Sequence, residues 1–320
     1  MLRKLYVTIG GWLLSLAAFG QQDPQFSFFS FAPTFYNPAT AGSEGVTRVQ
    51  LIYRTQWAGY TTSAGAGGAP TSQLLTANLP LNSINSGLGI YAFNDAIGPI
   101  SNQSVQLAYA YRLALKSGTL AVGVQAGVHN KTIDYSNIIV RDPGDPLIGT
   151  GQVSQLQPDF SAGVHYSTVD YWVGLSLFHL NAAAYKLGTD RGINPMSRTA
   201  YLSAGYRLGV AYDLDVQPSI LYKYSTEPGL QASSLDVNVL ATYANRYFAG
   251  AGYRLQEAIT AMAGLNLLAN NALRLGVAYD FTTTGASAKR PSSYEVMLSY
   301  ALPAPNTSRK PVVRTPRFRY

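Results

Sequence analysis

The feature that most constrains this chain is a two-residue periodicity that recurs from residue 46 almost to the end. Between Val105 and Leu115 the odd positions are apolar or aromatic, while the even positions carry Gln106, Arg112 or alanine. Such alternation predicts β-strands with one apolar and one polar face. The runs exceed the ~5–6 residues usual for soluble sheets and match the ~9–11 residues of a tilted membrane strand.

Fourteen such strands are predicted, and the connections between them alternate between short and long. Tight connections such as Lys116 to Gly118 follow every second strand, whereas those between them include the long stretches 132–157 and 181–196. Outer-membrane barrels have short periplasmic turns and longer external loops. We therefore predict an all-β protein, a transmembrane antiparallel β-barrel. A secreted β-sandwich also fits evenly spaced strands, but it does not explain the sorted loops. The predicted strands are 46–58, 71–79, 86–95, 103–115, 119–131, 158–168, 170–180, 197–209, 213–225, 231–243, 245–256, 259–268, 271–283 and 291–302.

The composition agrees with a membrane barrel. Charged residues make up 12% of the chain, and tyrosine (23) and glycine (30) are abundant, whereas globular domains carry ~25% charged residues. Aromatic residues near strand ends are expected to form girdles at the two membrane interfaces. They are Tyr53, Trp57, Tyr166, Tyr171, Tyr206, Tyr243, Tyr247, Tyr253, Tyr294 and Tyr300.

The first twenty residues predict a secretory signal peptide. Arg3 and Lys4 precede an apolar stretch too short for a stop-transfer helix, and small residues precede Gln21. This order is typical of a cleaved leader. The chain contains no cysteine, so neither a lipid-anchored cysteine nor a disulfide is predicted.

Residues 21–45 form a segment rich in aromatics and proline, with Phe26, Phe28, Phe29, Phe31, Phe35 and Tyr36. Its prolines prevent a long helix or a central strand. Burial of each large apolar side chain gains about 1.5–3 kcal/mol. We therefore expect the segment to fold against the periplasmic mouth or into the lumen of the barrel of residues 46–302, as a plug or seal.

The side chains that would face the lumen of the predicted barrel are mostly small and polar, and more of them are cationic than anionic. In this inward set, the candidate lumen cations are Arg48, Arg54, Arg112, Arg207 and Arg254, with Arg246 and Arg274, against Asp159, Asp236, Asp280 and Glu295. Pairing of these charges across strands is one interpretation, and an anion-selective pore or a peptide-binding lumen is another. Four apolar residues also fall on the inward set, which predicts shifted strand boundaries or bulges. They are Ile52, Leu221, Phe248 and Leu268.

The positive charge of the chain is concentrated in its last stretch, residues 303–320. The formal net charge is +7, and outside the leader and this tail the chain is formally neutral. Nucleic-acid binding is therefore excluded as a prediction, because it needs a basic stripe. A periplasmic tail could attract acidic partner surfaces or anionic outer-membrane lipid, or simply be solvated. The candidate partner-binding residues are Arg309, Lys310, Arg314, Arg317, Phe318 and Arg319.

Catalytic chemistry is weakly represented. His129 and His165 are expected to face the lumen, where an acid–base site with Asp159 is conceivable, but polar lumen residues without a catalytic role are the favoured interpretation. The chain has no His-Glu-x-x-His pattern, and Ala64 to Gly68 lacks the lysine of a phosphate loop. We predict no catalytic residue, no metal and no cofactor.

Several motifs resemble one known family. QQDPQFSFFSFAPTFYNPATAGSEG followed by RTQW, together with PDFSAGVHY, LRLGVAYDF, YEVMLSY and the terminal RTPRF, resembles the PorP/SprF outer-membrane proteins of Bacteroidota. The match spans nearly the whole mature chain. It departs from relatives at Phe28 to Phe31 and at the Ala64 to Ala69 loop.

The resemblance implies a non-enzymatic component of type IX secretion and gliding in the outer membrane. The even number of strands and the short periplasmic turns predict that both termini lie in the periplasm. The implied role of the component is to help export or surface-anchor a partner, such as a large adhesin with a C-terminal sorting domain. The resemblance also implies contact with periplasmic, peptidoglycan-linked machinery. From the residues alone, a diffusion porin or a transporter of hydrophobic compounds stays open as the alternative.

Overall fold

The computed structural model describes residues 23–60, 68–137, 151–186, 194–225, 233–283 and 292–303. The predicted leader, residues 1–20, lies outside the described residues, as does nearly all of the predicted basic tail. The described residues form one closed antiparallel sheet with a short irregular segment before its first strand.

The sheet has fourteen strands, and each predicted strand corresponds to one of them. One strand, β8, is interrupted at Arg207, where its pairing shifts from β7 and β9 to β9 alone. The strands are β1 (Arg48–Thr55), β2 (Thr71–Leu81), β3 (Ser86–Ile97), β4 (Ile100–Ala114), β5 (Thr119–Asp134), β6 (Gln152–Ser167), β7 (Tyr171–Phe178), β8 (Thr199–Tyr206 and Leu208–Ala211), β9 (Leu214–Ser225), β10 (Ser233–Tyr243), β11 (Tyr247–Arg254), β12 (Ala258–Leu267), β13 (Leu273–Thr282) and β14 (Ser292–Ala301).

The barrel is closed by its first and last strands. Each strand pairs with its neighbours in sequence, and β1 pairs with both β2 and β14, from Arg48 opposite Ala301 to Thr55 opposite Tyr294. Closure pairs the first strand with the last, so the sheet has no open end, which a lipid environment requires because it offers backbone groups no other hydrogen-bond partner. The predicted fourteen-stranded antiparallel barrel is confirmed.

The helical elements within the described ranges are all short. Three precede the barrel, namely the 3₁₀-helix Phe29–Phe31, the α-helix α1 (Pro33–Tyr36) and the 3₁₀-helix Pro38–Thr40. The others, Asn82–Ile84, Tyr135–Asn137 and Ala269–Asn271, lie in connections. Among the described residues, no helix is long and apolar enough to cross a membrane.

The connections define two ends of the barrel. The short-turn end carries the turns after β2, β4, β6, β8, β10 and β12, together with the start of β1 and the end of β14. The opposite, long-loop end carries the connections after β1, β5, β7, β9 and β13. The alternation has two exceptions, because two connections at the long-loop end are also tight turns. They are Gly98 with Pro99, after β3, and residues 255–257, after β11.

The β5–β6 hairpin extends beyond the barrel wall at the long-loop end. β6 begins at Gln152, six residues before the predicted start, and β7 pairs with it only from Ala162 onward. Beside this extension the chain forms a two-residue bridge, Ala184–Tyr185 with Asn194–Pro195. Tyr185 and Met196 form a small buried cluster with Ile133 and Val153 of the hairpin. This loop is therefore packed against the extended hairpin.

The two faces of the strands differ as the alternation predicted. Outward side chains are exposed and mainly apolar, while inward ones are buried and mainly polar. Eight of the girdle aromatics are exposed on the outer surface: Tyr53, Tyr171, Tyr206, Tyr243, Tyr247, Tyr253, Tyr294 and Tyr300. This outer surface suits contact with lipid, and its tyrosines suit the membrane interfaces.

The expectation of shifted boundaries at the inward apolar positions is wrong for three of the four residues. Ile52, Leu221 and Phe248 lie within regular strand pairing and are buried. They face inward because the lumen contains apolar side chains for them to contact. Leu268 instead lies in the turn after β12, with a positive φ of 64° and an exposed side chain.

Candidate functional site

The candidate site is the lumen, which is occupied by residues 23–45, here called the luminal segment. Its first described residue, Asp23, contacts His179 at the long-loop end. Its later part reaches the short-turn end, where the Gly42 carbonyl accepts a hydrogen bond from Arg112. Between these points, Asp23 to Asn37 are buried apart from Ser30, Phe31 and Pro33, and contact inward side chains from around the barrel. The segment thus runs along the length of the lumen.

The sequence of the segment explains its irregular path. Pro33 and Pro38 each begin a short helix. At that position the backbone N–H has no acceptor within the helix, so proline removes no hydrogen bond. Asn37 separates the two helices, and its side-chain oxygen accepts from the N–H of Ala39 at 2.9 Å. The Asn37 amide nitrogen donates to the Val164 carbonyl of β6 at 2.9 Å. One asparagine therefore both caps a turn and binds the segment to the wall.

The aromatic side chains form a core inside the barrel. Phe26, Phe28, Phe29, Phe35 and Tyr36 are all buried, and Phe31 is partly buried against them. Their wall partners are the inward apolar residues Ile52, Leu74, Tyr91, Phe93, Phe178, Tyr201, Leu221, Leu240, Phe248, Met262, Ala278 and Met297. Ring contacts are mostly edge-to-face, as between Phe35 and Tyr91 with centroids 5.1 Å apart. The aromatic residues of the segment and the apolar inward residues of the wall thus form a single hydrophobic core.

Glycines in the wall let the segment approach the strands closely. A Cβ at Gly123 of β5 would lie 2.3 Å from the Ala39 nitrogen, and one at Gly87 of β3 would lie 2.1 Å from the Ala41 oxygen. Any side chain at these positions would displace the backbone of the segment. The wall is therefore shaped to fit this polypeptide.

A buried ion cluster binds the segment near Ser27. Arg54 of β1 lies 2.6 Å from Asp280 and 3.1 Å from Glu295. Glu295 also accepts the backbone N–H groups of Ser27 and Phe28, at 2.8 and 2.9 Å. Arg54, Asp280 and Glu295 are each at most 2% exposed. Buried charges persist only when paired and hydrogen-bonded, and here the segment supplies part of that bonding.

A second buried cluster binds the start of the segment. His179, which follows β7, lies 3.1 Å from Asp23 and 3.0 Å from Asp159 of β6. Tyr201 donates to Asp23 at 3.2 Å, and Lys223 donates to the Asp23 carbonyl at 3.3 Å. Burial alone would favour neutral His179, but the nearby carboxylates outweigh it and raise its pKa from 6.5 to about 10. Burial likewise opposes ionisation of Asp23, yet the His179 charge holds the Asp23 pKa well below its usual value.

These shifts predict a pH dependence of stability. Because the folded-state pKa of His179 is raised, its contribution is complete below pH 6.5 and disappears as pH rises through about 10. The contribution of Asp23 is present above its unfolded pKa of 3.8 and falls in more acidic solution. Urea unfolding midpoints at pH 6, 8 and 10 should therefore decline in the wild-type protein and decline much less in His179→Gln.

His129→Gln is the control for that experiment. His129 of β5 is also buried, but its Nδ1 bonds to the Tyr185 hydroxyl at 2.8 Å rather than to a carboxylate. This variant should keep the wild-type slope between pH 8 and 10, where His179 loses its proton. Equal slopes in wild type and His179→Gln would show that the carboxylate–His179 cluster does not couple protonation to stability.

The predicted lumen cations occupy different surroundings. Arg48 bonds to Glu44 at 2.6 Å, and Arg254 to Asp236 at 2.6 Å. Arg112 donates to backbone carbonyls of Ser86 and Gly42. Arg207 lies at the break in β8 at the short-turn end of the lumen, where its side chain is 37% exposed and pairs with Asp215 at 2.5 Å. Cross-strand pairing is thus the better interpretation for Arg54 and Arg254, while Arg207 belongs to the short-turn rim.

The conceivable acid–base pairing of His129 or His165 with Asp159 does not occur. Asp159 bonds to His179 and to the Gln106 amide at 2.9 Å. The part of the chain that the structure describes contains no group of His, Cys, Asp and Glu suited to a metal ion. The tail candidates Arg309, Lys310, Arg314, Arg317, Phe318 and Arg319 lie outside the described residues.

Sequence reasoning missed the polar residues that bind the segment. Asp23, Ser27, Asn37 and His179 carry no local motif, and Asp23 and His179 are 156 positions apart in sequence. The available signal was the presence of apolar residues on the inward set, which required an apolar partner inside the lumen.

Solved structures similar to the chain include the CymD monoaromatic hydrocarbon channel, with 13% identity, 84% of this chain and 92% of that chain covered, and a TM-score of 0.48. The toluene transporter TodX of Pseudomonas putida matches with 12% identity, 84% and 93% coverage and a TM-score of 0.48. Omp33 of Acinetobacter baumannii matches with 5% identity, 80% and 98% coverage and a TM-score of 0.45.

These structural similarities are too distant to carry a functional argument, and no curated protein matches the chain. The family model for the type IX secretion system membrane protein PorP/SprF, in contrast, matches residues 18–300. That range includes the described barrel almost entirely, together with the luminal segment. The chain therefore belongs to the PorP/SprF family of type IX secretion system membrane proteins and is an outer-membrane β-barrel.

Proposed function

We propose that this protein is a non-enzymatic component of type IX secretion that helps export or surface-anchor a partner protein. A large adhesin with a C-terminal sorting domain is the kind of partner proposed. Family membership supports the secretion role. The observation that carries the proposal further is the lumen, because its wall glycines and apolar positions fit an irregular polypeptide. Such a barrel suits the handling of polypeptides.

We propose a non-enzymatic role because the polar clusters in the lumen bind the luminal segment. Among the described residues, the buried carboxylates and His179 have partners in the segment or the wall. A diffusion porin or a hydrophobic-compound transporter is the alternative, and it requires a continuous open path. The buried aromatic core across the lumen argues against that path and supports a plug role for the luminal segment.

The orientation is proposed from the sorted connections. Short turns face the periplasm in outer-membrane barrels, which assigns the short-turn end to the periplasm and the long-loop end to the cell surface. The long loops, including the packed β5–β6 extension, would then contact the secreted partner. The tail from residue 303 would begin in the periplasm, where its arginines could contact acidic surfaces of peptidoglycan-linked machinery or anionic lipid.

The test is a chromosomal deletion of this protein in its own bacterium, with surface proteins and periplasmic partners measured by mass spectrometry. We expect a sorting-domain protein to disappear from the cell surface and to return on complementation. Complementation with a chain ending at residue 303 separates the tail from the barrel, since recovery of surface display without periplasmic partners would assign those contacts to the tail. Unchanged surface proteins in the deletion strain would overturn the proposed function.

A further inference from the structure

Two adjoining cavities lie between the luminal segment and the inward faces of β6 to β9. The inner one has a volume of about 210 Å³ and the outer one about 310 Å³. Both are lined by Ser43, His165 and Trp172. The outer cavity is bounded by the β6–β7 turn, so it lies at the short-turn mouth.

The two cavities differ in chemistry. The inner cavity is lined mainly by apolar atoms from Phe29, Pro33, Tyr36 and Leu221. The outer cavity is lined mainly by polar groups, which include Ser167, Thr168, Asp170, Arg207 and Gln217. An occupant must therefore be apolar at its inner end and rich in hydrogen-bonding groups at the mouth.

His165 borders both cavities and, within the described part of the chain, carries a buried polar atom without a partner. His165 is only 9% exposed, and its buried Nδ1 atom has no hydrogen-bond partner among the described residues. A buried polar group left unbonded costs about 1–3 kcal/mol. A ligand group that bonds to this nitrogen would recover that loss.

The wall also keeps the inner cavity open. Gly205 lies directly opposite Trp172 in the β7–β8 pairing, and a Cβ at Gly205 would lie 1.9 Å from the Trp172 ring. The indole can rest against β8 only because position 205 has no side chain. Ser203 and Ser219 also line the inner cavity, and their small side chains leave its space unfilled. A larger residue at any of these positions would reduce the cavity.

We propose that this cavity binds an extended polypeptide through one large apolar or aromatic side chain. The side chain would enter the inner cavity beside Trp172, and the flanking backbone would bond to the donors and acceptors of the outer cavity. Backbone N–H and C=O groups need such mixed partners, and buried aromatic anchors are the usual energetic centres of protein interfaces. This inference rests on the proposed polypeptide-handling function and names a site for it.

The test uses purified, processed barrel with Trp57→Phe, so that Trp172 is the fluorescent reporter of the mature chain. The probes are the blocked pentapeptides Gly-Gly-Phe-Gly-Gly and Gly-Gly-Ala-Gly-Gly, and N-acetylphenylalaninamide. We expect a saturable change in Trp172 emission, with the phenylalanine peptide binding about tenfold or more tightly than the alanine peptide. Equal binding of both peptides, or no binding, would overturn the proposal.

Variants locate the site within the barrel. Ser219→Phe should fill the inner cavity and abolish binding, whereas Leu202→Phe, on the exposed outer face of the neighbouring strand β8, should leave it unchanged. His165→Leu should weaken binding of the pentapeptide without preventing folding. If N-acetylphenylalaninamide binds as tightly as the pentapeptide, the ligand is a small aromatic molecule and the peptide proposal is wrong. Lost surface display in the deletion strain with no pentapeptide binding would overturn this inference alone.

Discussion

Replacing Arg54 with leucine is expected to lower the free energy of unfolding by about 3–5 kcal/mol. The change leaves Asp280 and Glu295 buried without their cation, at positions where Arg54 is 2.6 and 3.1 Å away. The two carboxylates then repel each other and lack water. Because Glu295 also accepts the N–H groups of Ser27 and Phe28, the luminal segment should loosen as well. Urea unfolding of the barrel in lipid vesicles, monitored by tyrosine and tryptophan fluorescence, measures the loss.

Arg207→Leu is the matched control for this prediction. Arg207 also pairs with one carboxylate, Asp215, but it is 37% exposed at the short-turn rim. Exposed ion pairs contribute about 0–1 kcal/mol, because water stabilises both separated charges. A loss of similar size in the two variants would contradict the view that burial makes the Arg54 cluster important.

Enlarging Gly123 to leucine is expected to open a conducting path through the barrel. The added side chain would collide with the backbone at Ala39, since even a Cβ would lie 2.3 Å from the Ala39 nitrogen. The wall strand is held by pairing on both sides, so the luminal segment must move. Eight-stranded barrels are filled by side chains and barrels of 16–18 strands hold aqueous channels. Fourteen strands should therefore leave a pore once the segment is displaced.

Single-channel recording in planar bilayers measures this effect. Wild-type protein should stay closed or nearly closed, while Gly123→Leu and a deletion of residues 23–42 should both conduct. Ala126→Leu, on the exposed outer face of the same strand, should behave as wild type. If the deletion variant folds and its conductance equals that of the wild-type barrel, the plug role of the segment is wrong.

The inward apolar residues explain how far sequence reasoning reached. Ile52, Leu221 and Phe248 broke the polar pattern of the inward set, and shifted boundaries were the natural interpretation while strands were considered singly. Their register is regular, and they share one buried core with Phe28, Phe31 and the other aromatics of the luminal segment. A periodic pattern reports which face a residue occupies, but it does not report what lies on the other side of a lumen.

The sequence by itself determined the strand number, the sorting of turns and loops, the lipid-facing surface and the family. Each of these depends on local alternation, turn composition or motif wording, which are readable without knowing which strands meet. Only the tertiary structure decided that Asp23 pairs with His179, that Ser27 bonds to Glu295 and that Asn37 binds β6. Those contacts depend on barrel closure and on the depth at which the segment crosses the lumen, because both bring together groups that the sequence separates by more than a hundred residues.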